Sequence, residues 1–349
     1  MTRFSPSQPT HVARVSVVIP NWNTLEHLPE CLASLAEQTF KDFEIVVVDN
    51  ASSDGSVAYL RQQWPDVRVI ALATNTGFPG AVNAGIRASD APYVVLLNND
   101  TAAEPGWLEV LVAAMDAHHE FAFASSKLVR FDDRTLIDSA GHAFSITRSS
   151  GINLGQGESV GTFTERAWVF GAPAAAAIYR RSLIDDIGAF DEDFFFLHED
   201  VEFDVRANVA GYRCMLVPDA VVYHKRGGSF EVNPEIDVLG IRNRLWVATN
   251  TFPAGALVLW AVSNLVRAVW LVPLRLVNVV RRPTGSDPNQ RVPWSDVRVS
   301  ALARAIADGV RNARRKRRAL AGVRRLSSIE LIRRMIATRT PRPISSTPS

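Results

Sequence analysis

The feature that most constrains the fold is an alternation of short, apolar, β-branched runs with segments that read as helices. The runs 15–19, 43–48, 67–72 and 93–97 are each short enough to be a buried strand. Between the first two runs, leucines and a cysteine recur at spacings of three and four residues. Strands that alternate with helices form parallel sheets with right-handed crossover connections. The sequence therefore predicts an α/β fold with a mostly parallel sheet flanked by helices.

Short polar residues follow the predicted strands where they end. Asp49 follows the second strand, and the fourth strand runs directly into Asn98, Asn99 and Asp100. The carboxyl ends of the strands form the edge at which open α/β sheets bind ligands. An acid held next to a phosphate at this edge is a natural ligand for Mg2+ or Mn2+. The alternative is ordinary turn chemistry, since Asn and Asp also favour loops.

Three further residues of this kind come later in the chain. Glu199 and Asp200 begin a predicted helix, and His224 ends a predicted strand. Each has a structural alternative, because acids stabilise the first turn of a helix and a single histidine is more often structural than a ligand. All of these alternatives would have to hold together at one edge of the sheet, which favours a functional site.

Other sequence patterns narrow the class of protein. The glycine-punctuated segment 77–85 is not a GxGxxG pattern after the first strand, which disfavours a nicotinamide-dependent dehydrogenase, and there is no GxxxxGK[ST] loop. Cys31 and Cys214 lie far apart without metal-ligand spacing, which indicates a reducing compartment. Residues 1–14 are polar and lack the apolar core of a signal peptide, so a cytoplasmic location is expected.

Charge is distributed unevenly along the chain. From Arg281 onward there are 17 Arg and Lys against 4 Asp and Glu, whereas the preceding residues hold 21 basic and 32 acidic side chains. Such a basic tail predicts an anionic partner, either a membrane surface or nucleic acid. The run Arg314–Arg318 would attract anionic lipid. Because no recognition module for nucleic acid accompanies it, a membrane surface is favoured and no nucleic-acid partner is expected.

The most apolar stretch, 252–280, is long enough to span a bilayer. On a helical wheel its polar residues occupy about a third of the circumference, and Pro273 lies among them, which favours a helix lying in the membrane interface. Trp260 and Trp270 suit the depth of the lipid headgroups. The alternatives are a membrane span and a helix packed against the rest of the protein. The residues of the polar stripe are Ser263, Asn264, Arg267, Arg275 and Asn278.

Taken in order, these residues resemble the GT-A glycosyltransferases of family 2, especially bacterial rhamnosyltransferase-like members. The resemblance covers about residues 15–250, and the ordered set of motifs is specific although no single motif is decisive. The matching stretches are VVIPNWN at 17–23, VVVDNASSDGS at 46–56, NTGF at 75–78, NAGI at 83–86, LLNND at 96–100, FDEDFF at 190–195, HEDVEFDVR at 198–206 and GYR at 211–213.

The resemblance implies a role for each matched position. Asp49 would accept a hydrogen bond from the imide of a uracil or thymine ring, with Pro20 and Trp22 lining the base pocket. Asp100 and His224 would bind the divalent cation that neutralises the donor diphosphate. The other positions implied to contact the nucleotide sugar are Asn75, Gly77, Asn83, Asn98 and Asn99.

The resemblance also implies the chemistry. Asp200, favoured over Glu199, would be the general base that removes a proton from the acceptor hydroxyl in a single, inverting displacement. The family often carries Asp-x-Asp where Asn98 begins the triplet here, and an Asn carbonyl is a weaker metal ligand. The processive synthases of the family carry Gln-x-x-Arg-Trp, which residues 242–246 do not match. Transfer of one sugar is therefore expected.

The sequence thus predicts a metal-dependent inverting glycosyltransferase on the cytoplasmic face of the cell membrane. Its donor would be dTDP-rhamnose or a UDP-sugar, and its acceptor a lipid-linked or cell-envelope glycan. One alternative is an inactive GT-A-fold binding module recruited to the membrane, motivated by Asn98; another is a sugar nucleotidyltransferase, although the lysine- and glycine-rich loop expected after strand one is missing. The expected divisions are a flexible N-terminus (1–14), the GT-A domain (15–250), an interfacial helix (251–282), a basic helical tail (283–337) and a disordered end (338–349).

Overall fold

A ten-stranded sheet lies at the centre of the residues that the computed structural model describes, which are 12–225, 234–266, 299–341 and 343–344. A separate hairpin is formed by β8 (His142–Ser145) and β9 (Ser150–Asn153). The strands of the sheet are β1 (Val15–Asn21), β2 (Phe43–Asp49), β3 (Arg68–Ala71), β4 (Tyr93–Leu97), β5 (Thr101–Ala103), β6 (Phe123–Arg130), β7 (Ile137–Ser139), β10 (Ala167–Val169), β11 (Ala176–Arg180) and β12 (Cys214–His224).

Helices cover both faces of this sheet and continue into the C-terminal part of the chain. A short 3-10 helix, Glu192–Phe194, precedes α6. The helices are α1 (Leu28–Ala36), α2 (Ser56–Gln63), α3 (Gly77–Arg87), α4 (Trp107–Ala117), α5 (Arg181–Ile187), α6 (Glu199–Val209), α7 (Pro234–Thr251), α8 (254–266), α9 (Val299–Val323) and α10 (Ser328–Ala337).

The strand order confirms the predicted α/β class. The main path runs β10-β12-β6-β11-β4-β1-β2-β3, and β1, β2, β3 and β4 are mutually parallel where they pair. Asn21 lies opposite Asp49 in the register of β1 and β2, so both polar strand ends emerge at one edge. The strand that is predicted to end at His224 is β12, whose register shifts between Val217 and Val221. Pro218, which has no N–H to donate, lies inside that irregularity.

The alternation of side chains along the strands builds a core on each face of the sheet. Val17 and Ile19 of β1 pack with α1 and α4, whereas Val18 packs with α3 and α6 on the opposite face. All three are fully buried, and burying one such side chain contributes about 1.5–3 kcal/mol. These two cores hold the carboxyl edge of the sheet in place.

A third hydrophobic cluster joins the C-terminal helices to the domain. Its members include Phe194 near α6, Trp246 of α7, Phe252, Leu320 of α9 and Leu331 of α10. The segments that were expected to be an appended tail therefore pack against the body of the protein as far as they are described. The predicted boundary at residue 250 falls inside α7, one residue before its end.

Two predicted terminal segments are more ordered than expected where they are described. Thr338 is fully buried, and Pro343 forms a bridge to Ala167, although disorder was expected from 338 onward. Near the N-terminus, Arg14 pairs with Asp116 at 2.5 Å. Both segments are polar, but each finds partners on the folded domain. Residues 1–11, 345–349 and the interval 267–298 of the predicted interfacial helix and tail lie outside the described residues.

The basic run Arg314–Arg318 on α9 is largely engaged with the domain. Lys316 pairs with Asp191 and Asp193, Arg315 pairs with Asp193 at 3.0 Å, and Arg317 donates to backbone carbonyls. The prediction that this whole run meets a membrane is therefore too broad, because three of its five cations are already used within the protein.

Helix α8 turns its polar side inward and its apolar side outward. Nδ2 of Asn264 donates to the carbonyl oxygen of Thr147 at 3.0 Å, and Ser263 is half-buried. We call the exposed residues the α8 apolar face. Among the described helices, none is both long and apolar enough to cross a membrane. The residues of the α8 apolar face are Val258, Leu259, Val262, Leu265 and Val266.

Candidate active site

The carboxyl edge of the sheet brings Asp100 and His224 together. Oδ1 of Asp100 lies 3.4 Å from Nε2 of His224, and the other ring nitrogen, Nδ1, lies 2.7 Å from Oδ2 of Asp138. The imidazole is thus held between two carboxylates, and all three side chains are largely removed from solvent. The distance from Asp100 is longer than a good hydrogen bond. Both predicted metal ligands therefore face the same point.

Strand pairing explains why these residues meet. β5 pairs antiparallel with the end of β12 and places Thr101 opposite His224, and the amide of Lys225 donates to the carbonyl oxygen of Asp100 at 2.9 Å. Asp138 comes from β7, which pairs with β6. Sequence reasoning missed Asp138 because it lies in the irregular stretch 132–164, where no periodic pattern predicts which side chains turn inward.

The two carboxylates control the protonation of this histidine. Burial lowers the pKa of His224, but the hydrogen bond to Asp138 and the negative charges of Asp100 and Asp138 outweigh burial and raise the pKa to about 9. Burial also opposes ionisation of Asp100, yet His224 holds the pKa of that carboxyl below its usual value. The site therefore favours a positive charge next to Asp100.

The donor atoms at this edge fit a hard divalent cation. Oδ1 of Asp100 and Oδ1 of Asn98 are buried and accept no hydrogen bond from the described residues. Unsatisfied oxygens beside an imidazole nitrogen suit Mg2+ or Mn2+. No cluster of three His, Cys, Asp or Glu side chains that could hold a metal occurs in the described part of the chain. Mg2+ commonly takes only one or two protein carboxylates and completes its shell with substrate phosphates and water.

Side-chain hydrogen bonds join the ends of β1, β2 and β4. Nδ2 of Asn21 donates to Oδ1 of Asp49 at 3.1 Å, and the amide of Ser52 donates to Oδ2 of Asp49 at 2.9 Å. Nδ2 of Asn99 donates to Oδ1 of Asn21 at 2.7 Å. Asp49 is only 1% exposed. Its carboxylate therefore holds the ends of β1 and β2 together by hydrogen bonds. A contact between Asp49 and a nucleotide base stays a prediction.

Asn50 holds the turn that leads into α3. Its Nδ2 donates to Oδ1 of Asn75 at 2.9 Å and to the carbonyl oxygen of Gly77 at 3.0 Å. Its Oδ1 accepts from the amide of Thr76 at 2.8 Å. Gly77 has a φ of 74°, a conformation that favours a residue without a β-carbon. The structure thus brings the predicted residues Asn75 and Gly77 together in one rigid turn beside the edge.

The remaining predicted donor-binding residues differ in accessibility. Trp22 is 52% exposed just after β1, and Pro20 is half-buried. Asn83 is buried, and its side chain bonds the backbone of Phe190 through Nδ2 at 2.8 Å and Oδ1 at 3.0 Å. Trp22 and Pro20 are open to a ligand, whereas the side chain of Asn83 connects α3 to the segment that precedes α6.

Glu199 and Asp200 occupy the first turn of α6 and differ in environment. Glu199 is 6% exposed, and burial together with the charge of Asp200 raises the pKa of Glu199 to about 8. Asp200 is half-buried, and its Oδ1 accepts a hydrogen bond from the amide of Val201 at 2.7 Å. Burial therefore favours the neutral form of Glu199, and Asp200 is the more accessible of the two side chains.

A second His–Asp pair, which sequence reasoning missed, lies one turn further along α6. Nδ1 of His142 is 2.8 Å from Oδ2 of Asp204, and the amide of Ala172 donates to Oδ1 of Asp204 at 3.1 Å. A β-carbon at Gly171 would overlap this carboxyl group. The spacing of four residues between Asp200 and Asp204 places them on one helix face. That spacing is the sequence signal that could have identified Asp204.

Solved structures define the class of this fold. A mannosyltransferase from Pyrobaculum calidifontis, solved with GDP-Man and Mn2+, superposes with a TM-score of 0.54 at 17% identity and covers 95% of this chain and 88% of its own. Staphylococcus aureus TarS residues 1–349, solved with UDP-GlcNAc, superposes with a TM-score of 0.56 at 20% identity, with coverage of 89% and 90%. The fold is that of the GT-A glycosyltransferases.

Residues 16–188, about half of the chain, match the model of glycosyl transferase family 2, so the chain carries a domain of that family. A relative in Mycobacterium tuberculosis, N-acetylglucosaminyl-diphospho-decaprenol L-rhamnosyltransferase, is 28% identical over an alignment of length 248 that covers 62% of this chain and 78% of that protein. The poly(ribitol-phosphate) β-N-acetylglucosaminyltransferase TarS of Staphylococcus aureus is 26% identical over 64% of this chain and 38% of its own length.

Proposed function

We propose that this glycosyltransferase transfers one sugar, with inversion, from a dTDP- or UDP-linked donor to a lipid-linked or cell-envelope glycan. The observation that carries the proposal is the meeting of Asp100 and His224 at the carboxyl edge, with Asp138 behind the histidine. A nucleotide sugar brings a diphosphate to such an edge. The match to a glycosyltransferase family favours sugar transfer over the formation of a nucleotide sugar.

In this proposal Asp100 and His224 hold a divalent cation, Mg2+ or Mn2+. The buried, unsatisfied oxygen of Asp100 supports the assignment, as does the carboxylate of Asp138, since metal-binding histidines usually donate their second ring N–H to a carboxylate. When bound, the cation supplies Lewis-acid neutralisation of the charge on the departing nucleoside diphosphate. Asn98 contributes a neutral oxygen and is the weaker ligand. The solved mannosyltransferase with GDP-Man and Mn2+ is consistent with a metal in this fold.

We assign Asp200 as the general base. Its carboxylate removes the proton of an acceptor hydroxyl, and the oxygen attacks the anomeric carbon while the nucleoside diphosphate departs from the opposite face. A single displacement of this kind inverts the anomeric centre. The choice over Glu199 is supported by exposure and protonation, because Glu199 is buried with a pKa of about 8.

The donor base lies, in this proposal, against Pro20 and Trp22, with Asp49 and the turn of Asn75 and Gly77 shaping the pocket. The exposed indole of Trp22 supplies an apolar face on which a planar base can stack. Asp49 either accepts a hydrogen bond directly from the imide of the base or acts through Asn21, whose Nδ2 lies 3.1 Å from Oδ1 of Asp49. UDP-GlcNAc in the TarS structure supports a uridine-linked donor, and the decaprenol-linked relative supports a rhamnosyl donor and a lipid-linked acceptor.

An anionic membrane surface is the proposed partner of the α8 apolar face. An amphipathic helix that turns its polar side to the protein and its valines and leucines to solvent matches the interior of a lipid interface. Two arginines are exposed: Arg148 and Arg333 of α10. Arg148 follows Thr147, whose carbonyl oxygen accepts the hydrogen bond from Asn264. Such cations favour anionic headgroups. A peripheral location on the inner face of the cell membrane would bring the enzyme to a lipid-linked acceptor.

Calorimetric titration tests the donor and metal assignments together. UDP, dTDP, UDP-GlcNAc and dTDP-rhamnose are titrated into the protein with Mn2+, with Mg2+ or with EDTA. We expect at least one nucleotide to bind with a divalent cation and to bind much more weakly in EDTA or to the Asp100→Asn variant. Asp132→Asn, an exposed acid outside the site, is the matched control. The metal assignment would be contradicted if the nucleotide bound equally well with a divalent cation and in EDTA, and equally well to Asp100→Asn and Asp132→Asn.

A further inference from the structure

The segment that leads into α6 has a strained backbone. Phe195, Leu197 and His198 have φ angles of 64°, 70° and 67°, and none of them is glycine. Bulky residues rarely adopt positive φ, and such conformations persist only where the surrounding structure imposes them. We call residues 194–198 the strained segment. It is followed at once by Glu199 and Asp200, so its conformation determines where the first turn of α6 begins.

One buried side chain on α7 holds most of this segment. The two N–H groups on Nδ2 of Asn243 are shared among the carbonyl oxygens of Phe194 at 3.0 Å, Phe196 at 2.8 Å and Leu197 at 2.6 Å. Asn243 is fully buried. Three carbonyls of a strained loop thus converge on a single buried amide nitrogen.

Arg242 extends the same contact. Its Nη2 donates to the carbonyl oxygens of Asp193 at 3.0 Å and Phe194 at 2.8 Å. Its Nε donates to Oδ1 of Asn243 at 2.9 Å, which orients the amide. The guanidinium lies 4.3 Å from the ring centroid of Trp246, which fixes the arginine in turn.

The opposite side of the strained segment rests on α3. The carbonyl oxygen of Phe195 accepts a hydrogen bond from the amide of Phe78 at 2.7 Å, and a β-carbon at Gly77 would overlap that carbonyl. The segment is therefore held between α7 and the turn that is proposed to face the donor. The strained segment therefore connects the turn at the start of α3, which is proposed to face the donor, to Asp200, the proposed base.

We propose that Asn243 is a positioning residue, which holds the strained segment so that Asp200 is presented to the carboxyl edge. Asn243 touches neither donor nor acceptor in this proposal and acts only through the backbone carbonyls of residues 194, 196 and 197. The consequence for transfer rests on the proposed role of Asp200 as the base. The holding of the segment itself does not, because the hydrogen bonds exist in the free protein.

Hydrogen–deuterium exchange on the full-length chain tests the holding role without any substrate. Asn243→Ala is compared with Asn250→Ala, a matched control on the same helix. Asn250 is also buried, but its Nδ2 donates to no described residue. We expect exchange in peptides covering residues 192–200 to rise about tenfold in Asn243→Ala alone, through local opening, while peptides from β1 and β2 stay protected.

A second variant keeps the test decisive if Asn243→Ala does not fold. Arg242→Ala removes the hydrogen bonds to the carbonyl oxygens of Asp193 and Phe194 and the one to Oδ1 of Asn243. It keeps the Asn243 amide itself, so a smaller rise in exchange over the same peptides is expected. The holding role is overturned if Asn243→Ala and Arg242→Ala both exchange like Asn250→Ala over residues 192–200. If Asn243→Ala is unfolded, the same result for Arg242→Ala alone overturns it.

Kinetics then test the link to Asp200, with Mn2+ and the nucleotide sugar that binds the wild-type protein. We expect Asn243→Ala to lower kcat by up to about 10²-fold, because a small misplacement of a catalytic group has that cost. Affinity for the free nucleotide should change less than about threefold, since Asp100 and His224 are untouched. A variant with faster exchange but unchanged kcat overturns the positioning role. A wild-type protein that binds no nucleotide refutes the proposed function, and the exchange result still decides the holding role.

Discussion

The hydrogen bond between Asp138 and His224 determines which ring nitrogen of the histidine is available to a ligand. Asp138 fixes Nδ1 of His224 at 2.7 Å and leaves Nε2 facing Asp100. This arrangement selects the ring orientation in which Nε2 can meet a cation, and the negative charge increases the basicity of the imidazole. The same two acids stabilise the protonated ring in the free protein, so a cation and a proton compete for one nitrogen.

Asp138→Asn should therefore weaken cation binding. We expect the apparent affinity for Mn2+, in the presence of UDP or dTDP, to fall by about 10- to 100-fold, because the histidine loses its charged partner. Calorimetric titration of Mn2+ at fixed nucleotide measures the change. Asp132→Asn, which changes an exposed pair with Arg130, should bind Mn2+ like the wild type. An unchanged affinity in Asp138→Asn would remove Asp138 from the site.

Gly77 should not tolerate a side chain. Alanine at this position would adopt a φ of 74° and would overlap the carbonyl of Phe195, so Gly77→Ala should lower the free energy of unfolding by about 1 kcal/mol or more. Urea denaturation measures this. Gly322→Ala in α9, where a β-carbon meets nothing, should instead be neutral or stabilising by about 0.5–1 kcal/mol. Equal stability of the two variants would contradict the close contact between α3 and the strained segment.

Sequence reasoning predicts residues best where a periodic pattern ends. Asp49 and Asp100 follow β-branched runs, and strand pairing then places them at the edge as expected. Asp138 and Asn243 could not be predicted, because their roles depend on an irregular stretch and on a helix contact between residues far apart in the chain. The roles of Asp49, Asp200 and the donor-binding residues stay predictions.

At the level of elements, the C-terminal helices complete the domain rather than follow it. α7 supplies Asn243 to the strained segment, and α9 supplies Lys316 to Asp191 and Asp193 just before it. The composition of the tail indicated a segment rich in cations. It could not show that Arg315, Lys316 and Arg317 have partners on the domain, since ion pairing depends on tertiary placement.

Phe252 tests whether these helices fold together with the sheet. It is fully buried in the third cluster and lies 5.7 Å, ring centroid to ring centroid, from Phe144 of β8. Phe252→Ala should reduce the free energy of unfolding by about 3–5 kcal/mol in a single cooperative transition. Leu259→Ala on the exposed face of α8 should cost less than about 0.5 kcal/mol. A separate early transition in Phe252→Ala would show that the C-terminal helices unfold independently.

At the scale of the whole molecule, the proposed function requires the α8 apolar face and the carboxyl edge of the sheet to act on the same lipid-linked acceptor. The α8 apolar face is made of aliphatic side chains that are between 44% and 66% exposed, and a patch of this kind on a protein surface commonly marks an interaction site. A membrane that receives this face would hold the enzyme beside lipid-linked acceptors.

Charged residues on α8 should therefore reduce membrane binding. The double variant Val262→Asp, Leu265→Asp should lower binding to phosphatidylglycerol-containing vesicles by about tenfold or more, because two apolar side chains can no longer enter the interface. Vesicle co-sedimentation measures this, with Val12→Asp, an equally exposed valine elsewhere, as the control. Vesicles of phosphatidylcholine alone should bind the wild type more weakly. Binding that is unchanged in the double variant would contradict the proposed surface.

The most direct test of the account is transfer by the Asp200→Asn variant. Wild-type protein, Asp200→Asn and the exposed control Asp185→Asn are incubated with Mn2+, dTDP-rhamnose or UDP-GlcNAc, and polyprenyl-diphosphate-linked sugars, and released nucleotide and glycosylated lipid are quantified. We predict that Asp200→Asn loses transfer by about 10²-fold or more while binding nucleotide like the wild type, because only the proton acceptor is removed. Full transfer by Asp200→Asn would contradict the account.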